Sequence, residues 1–277
     1  MSYYKKLGLQ SEPFSTSPDP YFFYQSQAHK AALYRLRVGI GLKRGLSVVL
    51  GDVGTGKTTL SRKLSQYLLL DDNVVMSVIL NPTYTSEKQL LADLIDRFHI
   101  PVKVDEDATS LDYLRIIEQF LYEKGFEERK TIVLLIDESQ NLTPACLEVL
   151  RSLLNYETNE YKILQLVLMG QNELYPLLTN IPNFWDRVAV KCALNPLQAS
   201  EVKALINFRL TQAGYDSHKP LFSDEAFELI YKYSRGFPRK IALLCHNALE
   251  HLIMYNRAIV DRDVMCRVLQ NEFQLVT

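Results

Sequence analysis

No apolar run in the 277 residues approaches the ~18 needed for a helix across a bilayer, so no intrinsic membrane span is expected. The opening Met1-Ser-Tyr-Tyr-Lys-Lys lacks the apolar stretch of an export signal. Paired cysteines are missing as well. Cys146, Cys192, Cys245 and Cys266 are far apart and form no C-x-x-C. They read as reduced, buried thiols of a cytoplasmic protein, a disulfide being the rarer alternative there. Charge of one sign is also absent. Thirty-one Lys and Arg against 32 Asp and Glu leave a net charge of −1, so no global basic field advertises nucleic acid. There is no internal repeat and no low-complexity stretch. With 47% hydrophobic and 23% charged residues, a soluble globular chain of one large or two modest domains is expected, able to dock on a membrane protein.

The chain is organised around Gly51-Asp52-Val53-Gly54-Thr55-Gly56-Lys57-Thr58, which fits the phosphate-loop pattern G-x-x-x-x-G-K-[ST] with no mismatch. Leu46–Leu50 before it reads as a buried strand, and Thr59 onward reads as a helix. The three glycines let the backbone wrap an anion closely and take positive φ where needed. The backbone N–H groups and the helix N-terminus then supply positive potential. Lys57 can reach the β- and γ-phosphates of ATP, and the Thr58 hydroxyl can reach Mg²⁺.

Residues 1–25 are rich in aromatics and prolines, too apolar for a free tail. Pro18-Asp19-Pro20 argues for an extended segment packed on the core. A helix over about 26–44 follows. It carries Lys30, Arg35, Arg37, Lys43 and Arg44, and no acidic residue lies between Asp19 and Asp52. That helix is either a solvated face or a surface for DNA phosphates or an acidic partner. Further strands are expected at 74–80 (central or two-sided), 131–136, 164–170 and 188–194. Helices are expected at 59–70, 86–99 (Ser86 cap), 110–124 (Ser110 cap), 143–157 and 173–179. The acidic link Asp105-Glu106-Asp107 reads as loop. Beyond Asn195-Pro196 the pattern is helical only, at about 200–213, 224–235, 239–255 and 262–273. Strands alternating with helices, then helices alone, imply a parallel αβα sandwich followed by a helical lid.

The third strand ends in Asp137-Glu138, which should face the crevice that holds the phosphates. Asp137 is placed to hold Mg²⁺. Glu138 is placed to polarise the attacking water, one carboxylate being neutralised while the other stays free to accept a proton.

Phosphate loop, strand-borne Asp-Glu, a polar fourth-strand end, a late arginine and a helical lid together resemble an AAA+ ATPase. The resemblance narrows to the ExeA/GspA-like family. It rests on Leu7-Gly8-Leu9 with Pro13-Phe14, Pro18-Asp19-Pro20, the phosphate loop, Asp137-Glu138-Ser139-Gln140, Gly170-Gln171-Asn172-Glu173-Leu174, Asp186-Arg187-Val188 and Gly236-Phe237-Pro238-Arg239. The family's usual D-E-A-Q stands here as D-E-S-Q. The fold implied is α/β: a three-layer αβα P-loop NTPase sandwich with a five-stranded parallel sheet, followed by an all-helical AAA+ lid. The divisions expected are 1–25 as N-terminal segment, 26–195 as ATPase domain and 196–277 as lid.

The same resemblance implies further roles. The nucleotide is held by residues Gly51 to Thr59, with Mg²⁺ on Thr58 and Asp137. Gln171 stands where a sensor-1 side chain touches the γ-phosphate or attacking water. Most AAA+ proteins use Asn there, so its neighbour Asn172 competes for the role, and a plain loop amide is the bland reading. Asn81 ends the second strand, as a residue able to hold the catalytic Glu inactive or as a turn residue before proline. Arg187 is an arginine finger for the next subunit, or an ion-pair partner of Asp186. Arg239 is a sensor-2 cation, or a surface arginine disfavoured by the helix dipole unless an anion is near. Cys245, His246 and His251 share one helix and read as packing residues. A self-assembled ring or filament follows from a finger offered in trans. Two outputs compete: a cell-envelope secretion, pilus or exopolysaccharide system reached through a membrane-associated partner at the inner membrane, or duplex DNA, as in transposition regulators of the TnsC/TniB kind.

Overall fold

A computed structural model of the chain describes residues 3–105, 107–216 and 219–274, the side chains of 272–274 excepted. Met1, Ser2 and Glu106 of the expected acidic link lie outside the described residues. In chain order the elements are α1 (Tyr3–Lys6), α2 (Gln27–Gly41), β1 (Leu46–Gly51), α3 (Lys57–Leu68), β2 (Val74–Ile79), α4 (Glu87–Arg97) and α5 (Ser110–Leu121). They continue with β3 (Thr131–Ile136), α6 (Pro144–Leu153), β4 (Leu164–Gly170), α7 (Leu174–Thr179) and β5 (Val188–Leu194). Four helices close the chain: α8 (Ala199–Gln212), α9 (Asp224–Ser234), α10 (Pro238–Met254) and α11 (Arg262–Gln274).

The chain forms two compact units. One comprises residues 27–53 and 60–194. Its sheet is parallel throughout, in the order β2-β3-β4-β1-β5. Every residue of β4 is buried, and so is β3 after Thr131. Such continuous apolar runs require cover on both faces. Leu134, Ile136, Leu166 and Leu168 point into a core shared with Leu94 of α4, Ile117 of α5 and Leu150 of α6. On the opposite face α2 comes down so closely that a Cβ on Gly39 would lie 2.6 Å from Val190 Cγ2 and 3.7 Å from Ser47 Oγ. The result is a three-layer αβα P-loop NTPase sandwich.

Several elements depart from what the residues alone suggest. Strand β2 is an edge strand, half-buried, not a central one. Helix α5 is capped by Thr109, not Ser110. Asp112 Oδ2 accepts from the Thr109 N–H at 2.9 Å and from its hydroxyl at 2.7 Å. Helix α6 starts as its Thr143-Pro144 pair predicts, but stops at Leu153, because the chain turns back and the Ile163 N–H finds the Tyr156 carbonyl at 3.2 Å.

The second unit comprises residues 1–26, 54–59 and 195–277. Its apolar core is built by α8 to α11, through residues such as Val202, Ile230, Ile241, Leu249 and Val264. The N-terminal segment belongs to this helical unit. Phe14 is 1% exposed in that core, edge-on to Phe222 with ring centroids 6.1 Å apart. Arg209 donates to the Ser15 and Pro13 carbonyls, at 3.2 and 3.5 Å. The segment is not wholly extended. A 3-10 turn forms at Pro20–Phe22, where Asp19 caps the Tyr21 N–H at 2.8 Å. Pro20 occupies the first helical position, where a missing N–H costs nothing.

Candidate functional site

The C-terminal edge of the sheet collects the polar chemistry. The ends of β1 and β3 flank β4, so Gly51 and Ile136 stand two strand spacings apart, roughly 10 Å. The phosphate loop leaves β1 at Gly51. Gly54 and Gly56 have φ of +82° and +99°, and α3 starts at Lys57. A backbone turned this way points successive N–H groups inward as an anion cradle. Lys57 is 4% exposed and Thr55 is fully buried, so the charge that balances an anion is held in place by the fold.

Asp137 is buried, and its Oδ1 accepts the Glu138 N–H at 3.0 Å. Glu138 itself sits in the left-handed region, at φ 51° and ψ 38°. A non-glycine residue there costs of order 1–3 kcal/mol. The Glu138 Oε2 accepts from Gln140 Nε2 at 2.6 Å and from Gln171 Nε2 at 3.4 Å. The Gln171 N–H in turn donates to Gln140 Oε1 at 3.0 Å. Asn172 points elsewhere, donating to Asp52 Oδ1 of the phosphate loop at 2.6 Å. Asn81 is bonded to Asn141, whose Nδ2 donates to its Oδ1 at 3.0 Å, and not to Glu138.

Arg239 lies in the first turn of α10, after Pro238 at the first helical position. Its N–H donates to the Gly54 carbonyl at 3.4 Å, and its Cβ is 3.1 Å from where a Gly54 Cβ would be. A cation in that first turn therefore abuts the anion cradle. Arg187 ends a 3-10 turn immediately before β5 and donates to Asn155 Oδ1. It makes no ion pair with Asp186 among the described residues. Leu194, at the other end of β5, is in register with Gly51. Arg187 is thus seven residues back along the strand, roughly 20 Å from the edge where its own chain would hold phosphate.

Residues 41–178 match the AAA domain family model. General secretion pathway protein A of Aeromonas hydrophila is 39% identical over 249 residues, which cover 89% of this chain and 44% of that protein. The chain belongs to the ExeA/GspA-like AAA+ ATPases. It spans less than half the length of that curated relative. Among solved structures, Cdc6p from Pyrobaculum aerophilum shares the fold at a TM-score of 0.67 and 18% identity, over 90% of this chain and 67% of the other. ORC2 from Aeropyrum pernix, solved as ADPNP–ADP complexes, gives 0.60 and 17%, over 88% and 66%.

The ExeA/GspA-like motifs now have physical reasons. Pro13-Phe14 anchors the N-terminal segment through a buried ring and a carbonyl held by Arg209. Gly236, at φ +77°, is needed because a Cβ there would sit 2.1 Å from the Leu197 carbonyl oxygen. One site residue escaped sequence reasoning. Gln140 was visible only as the last letter of D-E-S-Q, with no spacing rule to tie it to the glutamate two residues earlier. Three of the cations expected over 26–44, Arg35, Arg37 and Lys43, also have local partners. Arg37 lies over the Tyr67 ring at 4.7 Å, and Lys43 donates to the Arg129 and Lys130 carbonyls, both at 3.2 Å. Burial raises the Cys192 thiol pKa, a rise that Arg35 partly offsets. All four cysteines are free. His246 is bonded to the Tyr3 hydroxyl at 3.1 Å and paired with Glu12 at 3.0 Å.

Proposed function

We propose that this chain hydrolyses ATP with Mg²⁺ and spends the energy on assembling or remodelling a cell-envelope secretion, pilus or exopolysaccharide system. The observation that carries the hydrolytic reading is Glu138. It is a carboxylate held in a strained backbone conformation by two amides, beside a buried Asp137, at the sheet edge from which the phosphate loop springs. The cradle from Gly51 to Thr59 binds the phosphates through backbone N–H groups, and Lys57 neutralises the β- and γ-oxygens. The hard oxygen donors of Thr58 and Asp137 suit Mg²⁺, which when bound offsets charge on the phosphates.

Glu138 accepts the proton of the attacking water, and Gln171 orients that water or the γ-phosphate. Asn172, committed to Asp52, is the weaker sensor-1 candidate. Arg239 reads the γ-phosphate in its own chain. Arg187, too far along β5 to reach its own site, is offered to a second copy in a ring or filament.

The envelope role is taken from the secretion relative and runs through a membrane-associated partner at the inner membrane. No helix of the described residues is long and apolar enough to cross a membrane. The test is ATP turnover by wild type, Lys57→Ala and Glu138→Gln, with nucleotide retention measured alongside. Lys57→Ala should lose retention. Glu138→Gln should keep it and lose turnover by about 10²-fold or more. EDTA should stop turnover and added Mg²⁺ should restore it. A Glu138→Gln chain as fast as wild type would end the hydrolytic reading.

A further inference from the structure

We propose that Gln140 is the positioning residue of the general base, and that its side-chain amide locks the acidic end of β3 to the polar end of β4. The inference rests on the reading of Glu138 as that base. A 3-10 turn at Ser139–Asn141 brings residue 140 back alongside Glu138. The turn is fixed from within: buried Ser139 donates its hydroxyl to the Ile136 carbonyl at 2.7 Å, and the Asn141 N–H donates to the Glu138 carbonyl at 3.0 Å.

The amide of Gln140 is used at both ends. Its Nε2 donates to Glu138 Oε2 at 2.6 Å, and its Oε1 accepts the Gln171 N–H at 3.0 Å. Only a side chain with donor and acceptor on one planar group can do both. A glutamate there could not donate, and a leucine could do neither. The third side of the triangle is Gln171 Nε2 to the same Glu138 oxygen, at 3.4 Å. Both amides hold Oε2. Glu138 Oε1 accepts no hydrogen bond among the described residues and is left to take the water's proton.

Gly170 makes the bracket possible, because a Cβ there would lie 2.9 Å from Gln140 Oε1. Its φ is not positive, so the glycine is required by close approach, of Gln140 and also of Leu174, whose Cδ2 would lie 2.9 Å away, and not by backbone conformation. Asn81, two residues past the end of β2, is taken by Asn141, so in this chain the glutamate's neighbour is two residues away on its own turn.

The test measures kcat, KM for ATP and nucleotide affinity in wild type, Gln140→Leu, Gln140→His and Gly170→Ala. Gln140→Leu should lower kcat by about tenfold to a hundredfold, with affinity held within about twofold, because a misplaced base loses rate and not binding. Gln140→His keeps a donor and an acceptor and should recover part of the loss. Gly170→Ala expels the amide from the other side and should reproduce the loss even if Gln140→Leu fails to fold. Near-wild-type kcat in Gln140→Leu or Gly170→Ala overturns the proposal. So does a kcat loss matched by an equal loss of affinity, which marks a merely structural role. If Glu138→Gln is inactive while Gln140→Leu is fully active, only this proposal fails. If Glu138→Gln is active, the reading beneath it fails.

Discussion

Glu138 at φ 51° and His251 with a buried Nδ1 that has no hydrogen-bond partner among the described residues are two of the places where a single residue carries local cost. For Glu138 the cost falls at the sheet edge where the proposed general base stands. For His251 it sets a pH dependence. Burial, then Arg267 and Arg257, hold its pKa below the ordinary 6.5, so the folded chain prefers the neutral ring. As pH falls below 6.5 the unfolded chain takes up the proton first. The contribution is therefore fully present above 6.5 and is lost as pH falls toward the folded pKa. Urea unfolding between pH 7 and 5 should show stability declining on the acid side, and His251→Gln should flatten that decline. An unchanged slope would show that other groups govern it.

At the scale of elements, the turn into α10 does the most with the fewest atoms. The Leu197 N–H donates to the Gly236 carbonyl at 2.9 Å, and this pairing places the first turn that carries Arg239. Gly236→Ala meets both a positive φ and an overlap with backbone that cannot rotate away. We expect it to cost at least ~2 kcal/mol in urea unfolding and to weaken nucleotide retention. Full retention at wild-type stability would mean that α10 does not depend on this turn. Strand β2 makes a different point. Its six apolar-rich residues suit a central place, yet it lies at the edge, since strand order is set by which crossovers pack and not by any one strand's composition.

At the scale of the molecule, a parallel sheet puts Gly51 at the end of β1, Asp137 and Glu138 after β3 and Gln171 after β4 at one edge, and Arg187 before β5 at the other. On the proposed reading an arginine there serves a second copy of the chain, so turnover should rise steeply with protein concentration. Arg187→Ala should lower the rate by about 10³-fold. Mixing Arg187→Ala, which keeps an intact cradle, with Lys57→Ala, which keeps an intact finger, should restore part of the activity. No recovery on mixing, with the two variants shown to co-assemble, would rule out a shared site.

Much of this was legible in the one-dimensional chain, for a stated reason. The phosphate loop, the Asp137-Glu138 pair, all five strands within a residue and the helix caps at Ser86 and Thr143 depend on neighbours a few positions apart, so spacing alone reveals them. What folding alone decided depends on residues distant in sequence. Such contacts place Phe14 in the helical unit, β2 at the sheet edge, Asn172 on Asp52 and Gln140 between Glu138 and the Gln171 backbone. Those partners are chosen by packing in three dimensions, and no local pattern encodes them.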